Sequence, residues 1–73
     1  MANKLSEDEK DQLVFDEISN CGEAGAGVAF LVNAGIRPGT VRSSLKRLLT
    51  EGSVTRQWDG NGRFGRYLYR AAR

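Results

Sequence analysis

The stretch GIRPGTVRSSLKRLLTEG, residues 35–52, decides how the rest of this chain is interpreted. Pro38 suits the first position of a helix, where its missing N–H is not needed, and Gly52 suits the left-handed residue that follows a helix end. Between them, apolar side chains recur at positions i, i+4, i+7 and i+8, namely Val41, Leu45, Leu48 and Leu49. Because this spacing places them on one face, the stretch predicts a helix over about residues 38–51 that packs against a core.

The opposite face of this predicted helix is polar and carries cations. Its members are Gly39, Thr40, Ser43, Lys46, Arg47 and Thr50, with Arg42 on the flank. Small residues allow the backbone to approach a groove of nucleic acid, hydroxyls bond to bases or phosphates, and Arg or Lys neutralises phosphates. An ordinary surface helix with a solvated basic face has the same pattern, so this helix alone leaves both interpretations open.

The length and composition of the chain exclude several classes of protein. Seventy-three residues predict a single domain with a small core and marginal stability. The single cysteine excludes an internal disulfide, and the lack of histidine excludes both a Cys/His zinc site and His-based catalysis. We find no acid/base pair and no activated nucleophile, so we expect neither an enzyme nor a cofactor. Without a signal peptide or a long apolar run, we expect a cytoplasmic protein that does not enter a membrane.

Charge is unevenly distributed along the chain, although the formal net charge is only +2. Residues 1–24 carry two lysines against seven acidic residues, whereas residues 25–73 carry nine Lys or Arg against two acidic residues. This asymmetry predicts a molecule with one cationic side that attracts a polyanion and an acidic side that stays away from it. Most cations of the second part are arginines, which bind phosphate or a guanine edge through two parallel hydrogen bonds.

A first helix is predicted over about residues 7–20. Ser6 and Glu9 have the spacing of a capping box at its start. Its apolar stripe consists of Val14, Ile18 and Cys21. The acidic residues further along are expected to form its solvated face, and these are Asp11, Asp16 and Glu17. We expect residues 1–5 to be a loosely held start of the chain.

A second helix is predicted over about residues 28–34. Its residues are almost wholly apolar, so we expect it to be largely buried, with Ala29 allowing a neighbouring helix to approach closely. Gly35 ends this helix, and Ile36 plugs the following turn into the core. The preceding loop, residues 22–27, is rich in glycine but lacks the GK[ST] ending of a phosphate-binding loop. We therefore expect it to be a turn with one short pair of strand residues.

A β-hairpin is predicted after Gly52, because the spacing of apolar residues changes from helical to alternating. Its strands cover about residues 53–58 and 64–70. Between them stands the sequence DGNG, residues 59–62, which contains two successive dipeptides typical of hairpin turns. We expect residues 71–73 to be frayed.

Several side chains of the hairpin have predicted roles. Trp58 is expected to brace the two strands through an aromatic cross-strand pair, and Gly65 to mark a bulge or a close backbone approach. Either Leu68 or Tyr67 is expected to face the core, since alternation alone does not decide between them. The cationic surface of the hairpin consists of Arg56, Arg63, Arg66 and Arg70.

The segment VAFLVNAGIRPGTVRSSLKRLLTEGSVTR, residues 28–56, resembles a winged helix-turn-helix unit of small prokaryotic, phage and plasmid transcription regulators. The FaeA-like fimbrial regulators are closest to it in size. The resemblance implies an α+β fold over residues 1–73, with a three-helix core and a C-terminal wing over about residues 53–70. Two features depart from the family pattern: Arg37 stands where a Ser or Thr usually caps the third helix, and the loop of residues 22–27 is unusually rich in glycine.

The resemblance also implies roles for individual positions. The candidate DNA-binding residues are Arg37, Gly39, Thr40, Arg42, Ser43, Lys46, Arg47, Arg56, Arg63 and Arg66. Four of them match the base-proximal part of a recognition helix in the major groove, namely Arg37, Thr40, Arg42 and Ser43. Lys46 and Arg47 match its phosphate contacts. Arg63 and Arg66 match wing positions that touch the DNA backbone or minor groove.

We therefore expect a double-stranded DNA-binding domain that regulates transcription and is associated with the nucleoid when bound to DNA. One alternative is a protein-interaction adaptor or homodimer that uses the first helix, where Leu13 and Phe15 flank the apolar stripe. Another is an RNA or single-strand binder that uses aromatic stacking platforms, with candidates Trp58, Phe64, Tyr67 and Tyr69. We rank the latter lower because so small a core is expected to need at least two of these aromatic residues.

Overall fold

The computed structural model describes residues 6–72 and has an α+β architecture of three helices followed by a two-stranded antiparallel hairpin. The elements are α1 (Glu7–Cys21), a 3₁₀ turn (Gly22–Ala24), α2 (Val28–Asn33), α3 (Pro38–Glu51), β1 (Val54–Asn61) and β2 (Phe64–Ala71). The predicted order and type of the elements are confirmed. The expectation for residues 1–5 lies outside the described residues. No helix within residues 6–72 has the length and apolar character needed to cross a membrane.

Helix α1 begins with the predicted capping box. The Ser6 hydroxyl accepts a hydrogen bond from the Glu9 backbone N–H, and the Glu9 carboxylate accepts one from the Ser6 N–H. Val14 and Ile18 are fully buried, and each such side chain contributes about 1.5–3 kcal/mol to stability. The prediction for Asp11 is wrong, because this residue is only 8% exposed. It lies on the same stripe as Val14 and Ile18, so the packing of α1 against α3 buries it.

Helix α2 has the predicted position, but the expectation that it is largely buried is wrong. Leu31 is fully buried, whereas Ala29 is exposed and Phe30 is 47% exposed. A helix of six residues presents only one face to a small core, so the remaining apolar side chains meet solvent. The following turn is as predicted, with Gly35 at a φ of 100° and Ile36 buried.

Helix α3 begins and ends where its sequence predicts. Pro38 is its first residue, and Gly52 follows its end in the left-handed conformation, with its N–H donating to the carbonyls of Leu48 and Leu49. The apolar stripe faces the core, and Ser44 is buried beside it. The burial of one side of α3 leaves the polar side free to form a surface.

The hairpin turn lies further along the chain than predicted. Strand β1 continues to Asn61, so the loop consists of Gly62 and Arg63 alone. The prediction that residues 59–62 form the turn is therefore wrong. The cause is the direct pairing of Gly60 with Gly65, because a Cβ on Gly60 would collide with the carbonyl oxygen of Phe64. The close backbone approach predicted at Gly65 is thus confirmed.

The base of the hairpin completes the core. Ala26, in the loop before α2, exchanges two backbone hydrogen bonds of 2.8 Å with Tyr69, which confirms the expected short pair of strand residues. The expectation that Leu68 or Tyr67 faces the core is wrong, because Tyr69 is the buried residue of β2 and Tyr67 is exposed. Leu68 is half-buried and packs against the glycine-rich loop. The Ala72 N–H donates to the Ser53 carbonyl, so the expected fraying of residues 71–73 is wrong at residues 71 and 72, and Arg73 lies outside the described residues.

Candidate nucleic-acid interface

The solvent-facing side of α3 gathers most of the predicted binding residues. The exposed ones are Arg37, Gly39, Arg42, Ser43 and Lys46, and Thr40 is half-buried beside them. A Cβ on Gly39 would meet no atom within 4 Å, so this glycine is not required by packing within residues 6–72. Arg37 occupies the N-cap position without a side-chain cap, which leaves the first backbone N–H groups of α3 without that partner. The start of α3 is therefore open and polar.

Arg47 is placed differently from the other cations of α3. Its Nε and Nη2 donate to the two carboxylate oxygens of Asp11 at 2.9 and 2.8 Å, and its Nη1 lies 3.9 Å from Glu7. This bidentate pair joins α3 to α1. The role of Arg47 as a phosphate contact stays a prediction, but two carboxylates already hold its guanidinium.

The ion pair between Asp11 and Arg47 shifts the pKa of both side chains. The hydrogen bond from Arg47 lowers the pKa of Asp11 below its ordinary value of 3.8, against the opposing effect of burial. The Oγ of the neighbouring Ser44 is buried and has no hydrogen-bonding partner among the described residues. The hydrogen bond to Asp11 in turn raises the pKa of Arg47. Both groups are therefore charged at neutral pH.

A groove between the start of α1 and the start of α3 is lined in part by Lys10, a cation that was not predicted from the sequence to belong to the site. The groove is lined by Glu7, Lys10, Arg37, Gly39, Thr40, Ser43 and Arg47. Lys10 thus lies beside the polar face of α3, although it belongs to the acidic part of the sequence. The same groove contains Glu7, so the expected separation into an acidic and a cationic side is incomplete here. The sequence does contain one indication of how α1 packs: Asp11 has the helical spacing of Val14 and Ile18, the buried stripe of α1.

The hairpin carries a second group of cations with different surroundings. The guanidinium of Arg56 lies 4.3 Å from the centre of the Tyr67 ring. The rings of Trp58 and Tyr67 pack edge to face, 5.1 Å apart, which confirms the predicted cross-strand pair. Arg63 lies in the exposed turn, and Arg66 is exposed on β2. These contacts stiffen the hairpin midway along its length.

Arg70 is the exception among the cations of the hairpin. Its Nε donates to the Glu23 carbonyl at 2.6 Å, and its Nη1 donates to Oε1 of Gln57 at 2.8 Å. Arg70 therefore attaches the hairpin to the loop after α1. Within residues 6–72, no ion pair engages the other cations of the two surfaces, which are Arg37, Arg42, Lys46, Arg56, Arg63 and Arg66.

The arrangement offers two cationic surfaces, one on α3 and one that extends over both faces of the hairpin, since Arg56 and Arg66 lie on opposite faces of the strands. Strand β1 begins only two residues after Gly52. Such surfaces suit a ligand with repeated negative charge. No family model matches this chain, and no curated protein and no solved structure is significantly similar to it. The chemistry of these two surfaces is therefore the basis for a functional interpretation.

Proposed function

We propose that this chain is a double-stranded DNA-binding domain of the winged helix-turn-helix class that regulates transcription. In this proposal α3 is the recognition helix in the major groove, and the hairpin is the wing. The observation that carries the proposal is the exposed face of α3, where small, hydroxyl and cationic side chains lie together opposite a buried apolar stripe. The protein would act in the cytoplasm, on the chromosome.

The proposed roles follow from the surroundings of each side chain. Ser43 is exposed on the polar face and Arg42 is exposed on its flank, where both can reach base edges. Lys46, one turn further along, neutralises a phosphate, and Lys10 adds a cation from α1. Arg47 holds α1 against α3, because its guanidinium is already bound by Asp11.

Binding of labelled duplex DNA at a series of salt concentrations tests this proposal. If Lys10, Lys46, Arg56, Arg63 and Arg66, none of which forms an ion pair within residues 6–72, contact phosphates, the logarithm of the affinity falls with the logarithm of the salt concentration with a slope of about −4.5. Lys46→Ala should make this slope shallower by about one for every sequence. Arg42→Ala should instead relax the choice of target sequence. Binding that is undetectable at about 50 mM salt, or insensitive to salt, would contradict the proposal.

A matched control separates local contacts from overall charge. Asp16→Asn changes the net charge by the same amount as Lys46→Ala but in the opposite direction, on an exposed part of α1. The new amide can still accept the hydrogen bond from Gln12. We expect this variant to leave the salt slope unchanged. If it changes the slope as much as Lys46→Ala does, general attraction rather than a defined interface explains the binding.

Single-strand binding is a second candidate, favoured by one observation. Trp58, Phe64 and Tyr67 are exposed, and only Tyr69 among the aromatic residues of the hairpin is buried, so the expectation that the core needs at least two of them is wrong. However, Arg56 and Trp58 already pack against the Tyr67 ring, which limits stacking there. Competition between unlabelled duplex DNA and single-stranded RNA decides between the two candidates.

The use of α1 as a protein-binding or homodimer surface stays a prediction. Leu13 is exposed on α1, whereas Phe15 packs partly against the core. The apolar surface that α1 offers to a partner is therefore smaller than the sequence indicates. Recovery of one stable protein partner without nucleic acid would favour an adaptor over a DNA-binding domain.

A further inference from the structure

The outer end of the hairpin has an unusual composition. Residues 60–65 read GNGRFG, so three of the six positions have no side chain. The three side chains that remain are those of Asn61, Arg63 and Phe64, and all are exposed. Phe64 is 78% exposed, more than any other large hydrophobic residue in the part of the chain that the structure describes. This aromatic ring therefore contributes little to the packing of residues 6–72.

The tip is narrow, and the hairpin behind it is stiff. The paired glycines Gly60 and Gly65 bring the two backbones so close that neither position has room for a Cβ. Two pairs further back, Trp58 and Tyr67 pack against each other across the strands. Asn61 is paired with Phe64 beyond the glycines, so their side chains share one face of the hairpin. The outer end of the hairpin is therefore narrow, and it presents an amide and an aromatic ring next to the turn that carries Arg63.

These three side chains are the kinds that proteins use in the minor groove of DNA. That groove is about 6 Å wide and displays hydrogen-bond acceptors, which Asn and Arg can contact. Minor-groove binders also insert apolar side chains such as Phe between base pairs, which unstacks one step and kinks the duplex. Arg66 lies on the same face as Phe64 but opposite Asp59, so the positive charge at the tip is that of Arg63.

We propose that Phe64 is a wedge that enters the minor groove, separates one base step and bends the DNA, while Asn61 and Arg63 bind the groove beside it. This inference rests on the proposed binding of duplex DNA and adds a specific deformation to it. Pyrimidine–purine steps unstack most easily, so the wedge should favour a TA or CA/TG step at the position that it enters. The hairpin would then contribute to target choice through the flexibility of the DNA.

Bending of a duplex obtained by selection from random sequences tests the wedge. Energy transfer between dyes at the two ends reports the bend, and 2-aminopurine placed at each step in turn reports unstacking. With the unaltered protein we expect a bend between about 20° and 90° and one unstacked step. Phe64→Ala should abolish both signals while weakening binding less than about tenfold, because the loss of wedge contacts is offset by the relief of unstacking. Phe64→Leu should retain part of the bend.

Phe30→Ala is the matched control, since it removes another exposed phenyl ring that lies on α2 rather than on the hairpin. We expect this variant to bend DNA as the unaltered protein does. Circular dichroism should show that both alanine variants remain folded, because neither ring lies in the core. A bend that Phe30→Ala removes as completely as Phe64→Ala would overturn the assignment to the hairpin tip.

Replacement of A·T by I·C pairs beneath the tip tests the groove, because this exchange alters the major-groove pattern and keeps the minor-groove pattern of A·T. The bend should survive the exchange, and its loss would overturn the minor-groove placement. Tight binding to a straight duplex, or an undiminished bend with Phe64→Ala, would overturn the wedge and leave DNA binding intact. Failure to bind any duplex would overturn both proposals.

Discussion

The carboxylate of Asp11 and the guanidinium of Arg47 connect two helices that are far apart in the sequence. Both carboxylate oxygens accept hydrogen bonds from the fork of Arg47, and the carboxylate is nearly excluded from solvent. Burial of a charge is unfavourable unless a partner of opposite charge satisfies it. The pair therefore fixes the contact between α1 and α3, and each charge stabilises the ionised form of the other.

Loss of the Asp11 carboxylate should destabilise the fold in a way that depends on pH. Asp11→Asn replaces charged hydrogen bonds by neutral ones, so we expect the free energy of unfolding at pH 7 to fall by about 1–2 kcal/mol. In the folded protein the pKa of Asp11 lies below 3.8, so the unfolded chain takes up this proton first as the pH falls. The stabilisation is thus complete above about pH 4 and disappears as the pH falls through the folded-state pKa.

Thermal unfolding between pH 7 and pH 2 measures this effect. The stability of the unaltered protein and of Asp11→Asn should converge in acid, because a protonated carboxyl resembles the amide. Asp16→Asn, an exposed acidic residue on the same helix, should match the unaltered protein at pH 7. A constant difference between the unaltered protein and Asp11→Asn at every pH would show that the ion pair is not its cause.

Arg37 offers a residue at which stability and binding should change in opposite directions. It is the N-cap of α3 in an extended conformation, yet its side chain caps nothing. Arg37→Ser supplies a hydroxyl for the free N–H groups and should raise the free energy of unfolding by about 1 kcal/mol. The same change removes a cation from the proposed DNA surface and should weaken duplex binding by about tenfold. Denaturant unfolding and a binding titration measure the two effects.

Arg37→Ala is the control for this pair of effects, because it removes the cation without providing a cap. It should weaken binding as much as Arg37→Ser does, without a gain in stability. Undiminished binding by both variants would assign Arg37 to the solvent rather than to DNA.

At the scale of single elements, the hairpin combines a fixed base with a free outer half. Val54 and Tyr69 are buried at the base, whereas residues 55–67 are exposed. The outer half therefore depends on interactions between its own strands: the ring pair, the cation over Tyr67 and the opposed glycines. Such a region can open without unfolding the core.

Two glycines of the hairpin should respond differently to alanine. Gly62→Ala places a side chain in open space at a φ of 58°, which costs about 1–2 kcal/mol locally. Gly60→Ala places it against the backbone of the opposite strand, so the paired strands must separate. We expect rapid hydrogen exchange of the amides of residues 58–67 in Gly60→Ala but only a modest increase in Gly62→Ala. Equal exchange rates in both variants would contradict the close pairing of Gly60 with Gly65.

The limits of helix α1 and helix α3 could be predicted from the sequence because caps and terminal glycines act locally. The capping box of Ser6 and the left-handed Gly52 need no information from distant residues. The turn of the hairpin could not be predicted in this way, because the contact of Gly60 with Gly65 exists only after the strands pair in register. The exposure of Phe30 was missed because apolar sequence does not reveal how much core surface is available to cover it.

The same distinction applies to the candidate site. Helical spacing was enough to place Arg42, Ser43 and Lys46 on one exposed face. The attachment of Arg47 to Asp11, and the position of Lys10 beside that face, depend on how α1 packs across α3. Charge counted along the chain does not contain that tertiary information.

At the scale of the whole molecule, the described residues form an elongated body with extents of 45 × 23 × 20 Å. A base pair occupies about 3.4 Å of the duplex axis, so one molecule lying along DNA spans about 13 base pairs. Binding by one copy should strengthen as the duplex is lengthened to about that size and then reach a plateau. Titrations with duplexes of increasing length measure this dependence.

A dimer would produce a different length dependence. Two copies that read half-sites about 34 Å apart need roughly a further helical turn of duplex, so the affinity would continue to rise beyond the single-copy plateau. The mass of the complex in solution, compared at both duplex lengths, distinguishes two bound copies from one copy with a larger footprint.

The two backbone hydrogen bonds between Ala26 and Tyr69 affect how the chain folds during its synthesis. The three helices are synthesised before both strands, and until the strands are made Ala26 has no strand to pair with and the core lacks both Val54 and Tyr69. A nascent chain that ends at Gly52 therefore exposes apolar surface and is open to chaperones and proteases. Because the last strand completes the core, the helices acquire their final packing only once nearly all of this segment has emerged, and partial translation products should be degraded rather than accumulate.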